Sequence, residues 1–208
     1  MRATAMLALA GQLAVACSLL PQTTPIPVDT SFSDHEPCAP PCWHGLVPDQ
    51  STGTEVRAVL SSLPFVRGSR ELSASWDGDD AAVSIYWFCI DGAYCGELTI
   101  SADMLVQVAL FFHYEVTLQE AVASLGIPSG IAHGPYHPEA GGCSVRVDWS
   151  ESAVWVEFTD TRDDAVCDAL DSGARPPRDL ALHMAVYGIP DQSQPCALCL
   201  PWPGFDEP

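Results

Sequence analysis

Cysteine carries most of the chemistry this chain can offer. There are nine: Cys17, Cys38, Cys42, Cys89, Cys95, Cys143, Cys167, Cys196 and Cys199. Cys196 and Cys199 have Cys-x-x-Cys spacing, and together with Cys38 and Cys42 they would supply four thiolates for a tetrahedral zinc site or a redox couple. Redox Cys-x-x-Cys pairs usually open a helix, which lowers the thiol pKa, whereas Pro195 and Pro201 bracket this pair in coil. With Cys17 set aside, an even number remains, which in an exported chain reads as a framework of up to four disulfides. Cys89 and Cys95 flank an Asp91-Gly92 turn signal and are predicted to face each other across a hairpin. The pairs 38/42 and 196/199 either close locally or link the two ends of the domain.

Other chemistry-bearing groups are weaker. His133-Gly134-Pro135-Tyr136-His137 places two imidazoles four apart, but Gly134 and Pro135 break the helix that would put them on one face for zinc. Asp77-Gly78-Asp79-Asp80 offers oxygen ligands without the longer loop and terminal bidentate Glu of an EF-hand, and reads as an acidic turn. His183 falls on the apolar seam of a predicted helix and reads as a core histidine. The chain lacks a nucleophile elbow, a phosphate loop, a dinucleotide-binding glycine turn and a His-Glu-x-x-His helix. These readings point to a non-catalytic chain that needs no cofactor.

The elements that must position these residues follow from periodicity. Val56, Val59, Leu60 and Leu63 share one helix face, Thr52 and Glu55 form a capping-box pattern, and Pro64 ends the run, so a helix is predicted over about 53–63. Thr117 and Glu120 repeat the cap, Leu118, Ala121, Val122 and Leu125 repeat the spacing, and Gly126-Ile127-Pro128 supplies the stop. A third copy is read in Asp179, Leu180, Met184, Tyr187 and Gly188-Ile189-Pro190, giving a helix at about 180–188 and a weak internal repeat. Between the first two helices, residues from Glu71 to Phe112 alternate as a four-strand meander, with Val83, Ile85 and Trp87 against Ser84, Tyr86 and Phe88. Cys143–Trp149 and Ala153–Thr159 make a further hairpin. Trp43, Trp76, Trp87, Trp149 and Trp155 read as core, and Trp202-Pro203-Gly204-Phe205 resembles Trp43-His44-Gly45-Leu46 as a docking segment beside cysteines. The expected fold is α+β: two repeated helix-plus-antiparallel-sheet units packed together and stapled by disulfides. The first unit spans residues 38–113 and the second 114–208, the latter ending in the predicted helix and a Cys-rich tail.

The N-terminus speaks to compartment. An apolar run from Ala3 to Ala16 follows Met1-Arg2, too short for the roughly 20 residues that cross a bilayer, and reads as a signal peptide over residues 1–16. Leu13-Ala14-Val15-Ala16-Cys17 resembles the lipobox at which bacterial lipoproteins are cleaved and acylated on cysteine, with Ala14 where that family most often has Leu. Cys17 is thus the expected lipidation site. Residues 17–37, with Pro21, Pro25, Pro27 and Pro37, read as a tether from the membrane. The protein is expected outside the cytoplasm, anchored at the outer face of the envelope or in the periplasm. Eight basic residues, all Arg, stand against 27 acidic ones, for a net charge of −19. That balance disfavours nucleic acid, which needs clustered cations, and attachment to an anionic membrane through a basic patch. It reads first as a solvated surface, and as attraction for cationic partners second.

Taken together, the Trp-x-Gly lead-in at Trp43-His44-Gly45, the nearby Pro48, the Thr-x-x-Glu helix and its recurrence ahead of Gly126-Ile127-Pro128 resemble a group of uncharacterised bacterial lipoproteins. More distantly they resemble small outer-membrane lipoproteins and β-lactamase inhibitor proteins that share a helix-plus-antiparallel-sheet module. The likeness covers residues 41–66 and 114–130. It implies a non-catalytic module that binds other proteins, often through a sheet face, and it carries over no contact residue. The expected function is a binding or scaffold lipoprotein at the cell envelope, with an envelope protein or extracellular ligand as its unknown partner. The alternative is a thiol- or metal-dependent envelope protein using Cys38, Cys42, Cys196 and Cys199. Thiol alkylation of residues 18–208 purified without reductant, read by intact mass, separates the two. The binding module takes up no reagent with or without chelator, whereas a thiolate metal site takes up four equivalents only with chelator.

Overall fold

The cap patterns form as read. Thr52 N–H donates to Glu55 Oε2 at 2.7 Å and Glu55 N–H donates back to Thr52 Oγ1 at 3.3 Å. This box opens α2, Gly53–Ser62, which buries Val56 and Leu60. Thr117 and Glu120 repeat the same reciprocal pair at the start of α3, Leu118–Leu125, which buries Leu118 and Ala121. Two short helices were not anticipated: α1, Ser31–Asp34, and α4, Ala165–Asp171, neither of which has a side-chain cap. The computed structural model describes residues 29–75, 81–137, 141–160, 164–188 and 199–205. The signal-peptide run, Cys17, Trp76, the Asp77-Gly78-Asp79-Asp80 turn and Cys196 lie outside them.

Among the described residues the chain is predominantly β. The strands are β1 (Val66–Ser75), β2 (Ala81–Cys89), β3 (Tyr94–Ser101), β4 (Met104–Thr117), β5 (Gly130–His137), β6 (Gly141–Trp149), β7 (Val154–Asp160), β8 (Ala181–Gly188) and β9 (Leu200–Pro201). They form one sheet in the order β1-β2-β3-β4-β8-β7-β6-β5-β9, with every neighbouring pair antiparallel. β1 to β4 and β5 to β8 each run as a meander, and the two meet where β4 pairs with β8. The boundary expected between residues 113 and 114 therefore falls inside β4.

All four helices sit on one face. Strand side chains alternate between faces, and the register carries Ile85, Leu98, Val108, Tyr187, Val154 and Trp149 across six strands on the helix side, each no more than 3% exposed. Phe32 of α1 packs on Phe112 and Tyr187, with ring centroids 5.0 and 6.4 Å apart, and Trp43 packs on Trp87 at 5.3 Å. Asp29 to His35, within the stretch 17–37 expected as a tether, thus pack against the body through Asp29, Phe32 and His35. Asp29 fastens this segment: it accepts from Trp43 Nε1 at 2.8 Å and from the Ser31 N–H at 3.0 Å, and lies 3.2 Å from His44 Nε2. Burial raises the Asp29 pKa, but these hydrogen bonds outweigh it and hold the carboxyl below its ordinary range. His35 Nε2 and Ser124 Oγ share a hydrogen bond that ties the end of α1 to α3.

Three cysteine pairs lie at disulfide distance. Cys89–Cys95 closes the β2–β3 hairpin as expected, with Cα atoms 5.7 Å apart. Cys38–Cys42 closes locally, also at 5.7 Å, and Cys143–Cys167 pins α4 to β6 at 5.6 Å. Cys199 is disulfide-bonded as well.

The helix predicted at 180–188 is a strand. Leu180, Met184 and Tyr187 have helical spacing, but β8 is a central strand with apolar residues on both faces: Ala185, Val186 and Tyr187 are 0, 2 and 1% exposed. A short apolar run buried on both faces mimics a helical seam. Gly188 is not a helix stop; its φ is 129° and a Cβ there would clash with the Val106 carbonyl across the β4–β8 pair. His183 is exposed on this strand beside Phe158 and is not a core histidine. β5 was missed because Gly134 and Pro135 interrupt its pattern. Pro135 is tolerated because β9 pairs only with Gly130 and Ile131, leaving the rest of that edge without a ladder to donate to.

Close approach also explains Gly96. A Cβ there would strike the Trp87 indole and lie 2.6 Å from the Ala109 carbonyl. Gly96→Ala is expected to destabilise the protein by about 2 kcal/mol through overpacking, measured as the shift in the urea unfolding midpoint at unchanged slope.

Candidate functional site: the face opposite the helices

The second face of the sheet follows from the same alternation. One register row crosses all nine strands on it: Arg70, Tyr86, Glu97, Ala109, Val186, Trp155, Asp148, Gly130 and Pro201. None of the described helices packs there. At the central β4–β8 seam the row is built of the small residues Ala109 and Val186, 7 and 2% exposed. On either side of the seam it rises to an aromatic, Tyr86 on β2 and Trp155 on β7. With strands about 4.8 Å apart, the two rings stand on strands roughly 19 Å from each other.

The β2–β4 side is an aromatic cluster. Tyr94 lies at its centre, with ring centroids 4.7 Å from Phe111, 5.7 Å from Tyr86 and 6.1 Å from Phe88. All four side chains are partly exposed. Glu97, directly opposite Tyr86 in register, accepts from the Tyr94 hydroxyl at 3.4 Å. Burial first, and then the neighbouring Glu97 carboxylate and Tyr86, push the Tyr94 hydroxyl well above the ordinary tyrosine range. Beside the cluster, a groove of about 320 Å³ is lined by Arg67, Gly68, Ser69, Phe88 and Gly92.

The β6–β7 side is built differently. Arg146 lies 4.5 Å above the Trp155 ring centroid and is held there by Asp148, with its Nη2 donating to Oδ1 at 2.6 Å and its Nε at 3.0 Å. Glu157, next along the face, accepts from Ser144 at 2.8 Å and Thr159 at 3.2 Å. Here the cation, ring and carboxylate are all supplied by the chain and satisfy one another.

The other residues singled out from sequence fall elsewhere. Cys38 and Cys42 are joined to each other, so neither offers a thiolate in this state. Cys199 Sγ lies 3.4 Å from Asp148 Oδ2, at the β5 edge of the face. His133 and His137 are four residues apart on β5, which separates their backbones by about 13 Å, and His133 Nδ1 lies 3.7 Å from Asp171 Oδ1. Among the described residues no group of three or more His, Cys, Asp or Glu is placed to hold a metal ion, and no helix is long and apolar enough to cross a membrane. Trp43, Trp87 and Trp149 are core, but Trp155 is the partly exposed platform under Arg146. Trp202 and Phe205 pack edge to face at 5.3 Å, and Arg175 and Arg178 hold Phe205 through its carbonyl and its ring.

In comparisons with protein-family models, with curated proteins and with solved structures, the chain gives no match.

Of the residues that make up this face, sequence reading put Tyr86 and Phe88 on the side opposite Ile85 and Trp87 without drawing the consequence. Large aromatics on the polar register of an alternating strand were the available signal. Ultraviolet titration tests the geometry: part of the tyrosine absorbance should appear only above the ordinary tyrosine range, and Tyr94→Phe should reduce that late component. Simultaneous ionisation of all the tyrosines would contradict the placement of Tyr94.

Proposed function

We propose that this chain is a non-catalytic, extracytoplasmic binding lipoprotein, held at a membrane by lipid on Cys17, that engages an envelope protein or extracellular ligand through the sheet face opposite its helices. The observation that carries the reading is the pair of partly exposed aromatic groups on that face, Tyr86/Phe88/Tyr94/Phe111 and Trp155, flanking a floor of small side chains. Rigid aromatics provide large contact area at little entropic cost, and together with Arg they dominate binding energy in protein interfaces. The cysteine pairs support an oxidising compartment.

The expected two-unit architecture belongs to this reading. Each capping-boxed helix is followed by four consecutive antiparallel strands, α2 by β1–β4 and α3 by β5–β8. We read these as two copies of one helix-plus-sheet module, joined so that their sheets make a single surface. This is the module of the lipoproteins and inhibitor proteins that the sequence resembles.

The test is capture of envelope proteins on the immobilised soluble chain, compared between wild type, Tyr94→Ala, Trp155→Ala and the helix-side control Gln119→Ala. Each aromatic truncation is expected to weaken capture of the same partner by about 2 kcal/mol, with Gln119→Ala unchanged and all variants cooperatively folded. Equal capture by all four proteins would overturn the reading.

A further inference from the structure

Beyond that reading of the face, we propose that the outer edge of β1 accepts an extended segment of a partner as an added strand, and that Arg67 and Arg70 select a segment bearing acidic side chains. The sheet ends in β1 on one side and in β9 on the other. β9 is two residues long, and the strand behind it carries Pro135, which has no N–H to donate. β1 runs for ten residues without a proline, and among the described residues it pairs on one side only, with β2. A long strand paired on one side is a template for another.

The side chains of β1 give the added strand its chemistry. Residues 67–73 are all exposed. Of the described arginines, Arg57 is engaged by Glu71, Arg146 by Asp148, Arg175 by the Phe205 carbonyl and Arg178 by the Phe205 ring. The guanidinium groups of Arg67 and Arg70 have no ion pair, hydrogen bond or ring contact among the described residues. Two such groups on one edge strand, in a chain with 27 acidic residues, favour a carboxylate brought by the partner. Arg70 stands in the row that crosses the open face, two residues from Leu72, which is 42% exposed on the same face. Between Val66 and Gly68 the register with β2 shifts, leaving Arg67 extra to the ladder, and a bulge of this kind re-aims a side chain. Arg67 Nη1 lies 3.3 Å from where a Cβ on Gly92 would stand, and the two residues line the groove of about 320 Å³ with Gly68, Ser69 and Phe88. A strand laid antiparallel along β1 would set an apolar residue beside Leu72, an acidic one beside Arg70 and a second acidic one beside the groove, in alternate positions. A net charge of −19 repels wholly acidic proteins at long range, so the segment is a local acidic strand on a partner that is not itself acidic.

Titration calorimetry of the full chain at physiological salt tests this with the peptide Thr-Val-Thr-Glu-Thr-Glu-Thr, its Gln-for-Glu counterpart, and two versions N-methylated on one or the other set of alternate backbone amides. The parent peptide is expected to bind saturably. The Gln counterpart, Arg67→Gln and Arg70→Gln should each weaken binding about tenfold, the loss of a charge-assisted hydrogen bond. Gln119→Glu, which changes the net charge equally but lies on α3, should stay within about twofold. Methylation of the amides that face β1 should abolish binding, and methylation of the other set should leave it within about twofold, because successive N–H groups of a strand point to opposite sides. Equal weakening by Arg70→Gln and Gln119→Glu, equal binding of the Gln peptide, indifference to both methylated sets, or no saturable binding of the parent would each overturn the inference. Capture of the envelope partner separates the edge from the face. Capture that depends on Tyr94 and Trp155, with no peptide bound, leaves the face standing and overturns the edge. Peptide binding that depends on Arg70, with capture indifferent to Tyr94 and Trp155, supports the edge and overturns the face.

Discussion

The antiparallel pairing of β4 with β8 is the constraint on which the rest of the molecule depends. It joins two meanders into one sheet, and its register, Val108 with Tyr187 and Ala109 with Val186, decides which side chains share a face. Because the side-chain period is two residues, a slip of β4 by one residue against β8 would turn Val108 outward and bring Ala109 to the core. Gly188 allows the backbones to approach at one end of the pair, where any Cβ would meet the Val106 carbonyl. At the other end the first N–H groups of α3 are satisfied by the chain leading into β8, with Leu118 N–H donating to the Leu180 carbonyl at 2.8 Å and Gln119 N–H to that of Arg178 at 2.9 Å. One pairing thus places the sheet, a helix start and the small-residue seam of the candidate site.

The two faces differ because their covers differ. The helix side is closed by α1 to α4 and by residues 29–50, whose Trp43 and Leu46 are fully buried. Asp29 anchors that segment through partners that come only with folding, the indole of Trp43 and the imidazole of His44. Two of the bridges reach into this core, with Cys95 and Cys143 2 and 0% exposed. Cys143–Cys167 holds a helix of only seven residues that has no side-chain cap and is far below the length at which isolated helices are stable. On the opposite face, the described residues leave aromatic side chains at intermediate exposure, a condition that a purely structural sheet surface does not require.

What was legible in the sequence was local. Both capping boxes, the turn at Asp91-Gly92 and its flanking bridge, and the alternation in β2 follow from rules spanning a few residues, and each formed as read. What failed was decided by distant partners. β8 has the composition of either a helix seam or a doubly buried strand, and only its position between β4 and β7 selects the strand. Pro135 hid β5 because sequence cannot reveal that the neighbouring strand stops short of it. Most of the face was hidden for a related reason: its central row takes one residue from each of nine strands, so no single strand contains two members of it.

Acidity and aromaticity on one molecule need reconciling, since exposed rings favour self-association. Net charge far from zero opposes it, because two copies of this chain repel at the range where apolar contact would begin. The same field acts oppositely on a basic partner, raising its encounter rate while adding little to the strength of the final contact. Affinity then has to come from desolvated short-range contacts, and on this face the partly exposed aromatic side chains on both sides of the seam are the groups able to make them. The inequality of the two aromatic groups is therefore what gives the surface an orientation: one side presents a completed ion–ring arrangement, the other a cluster of four aromatic rings whose central hydroxyl is held by a carboxylate.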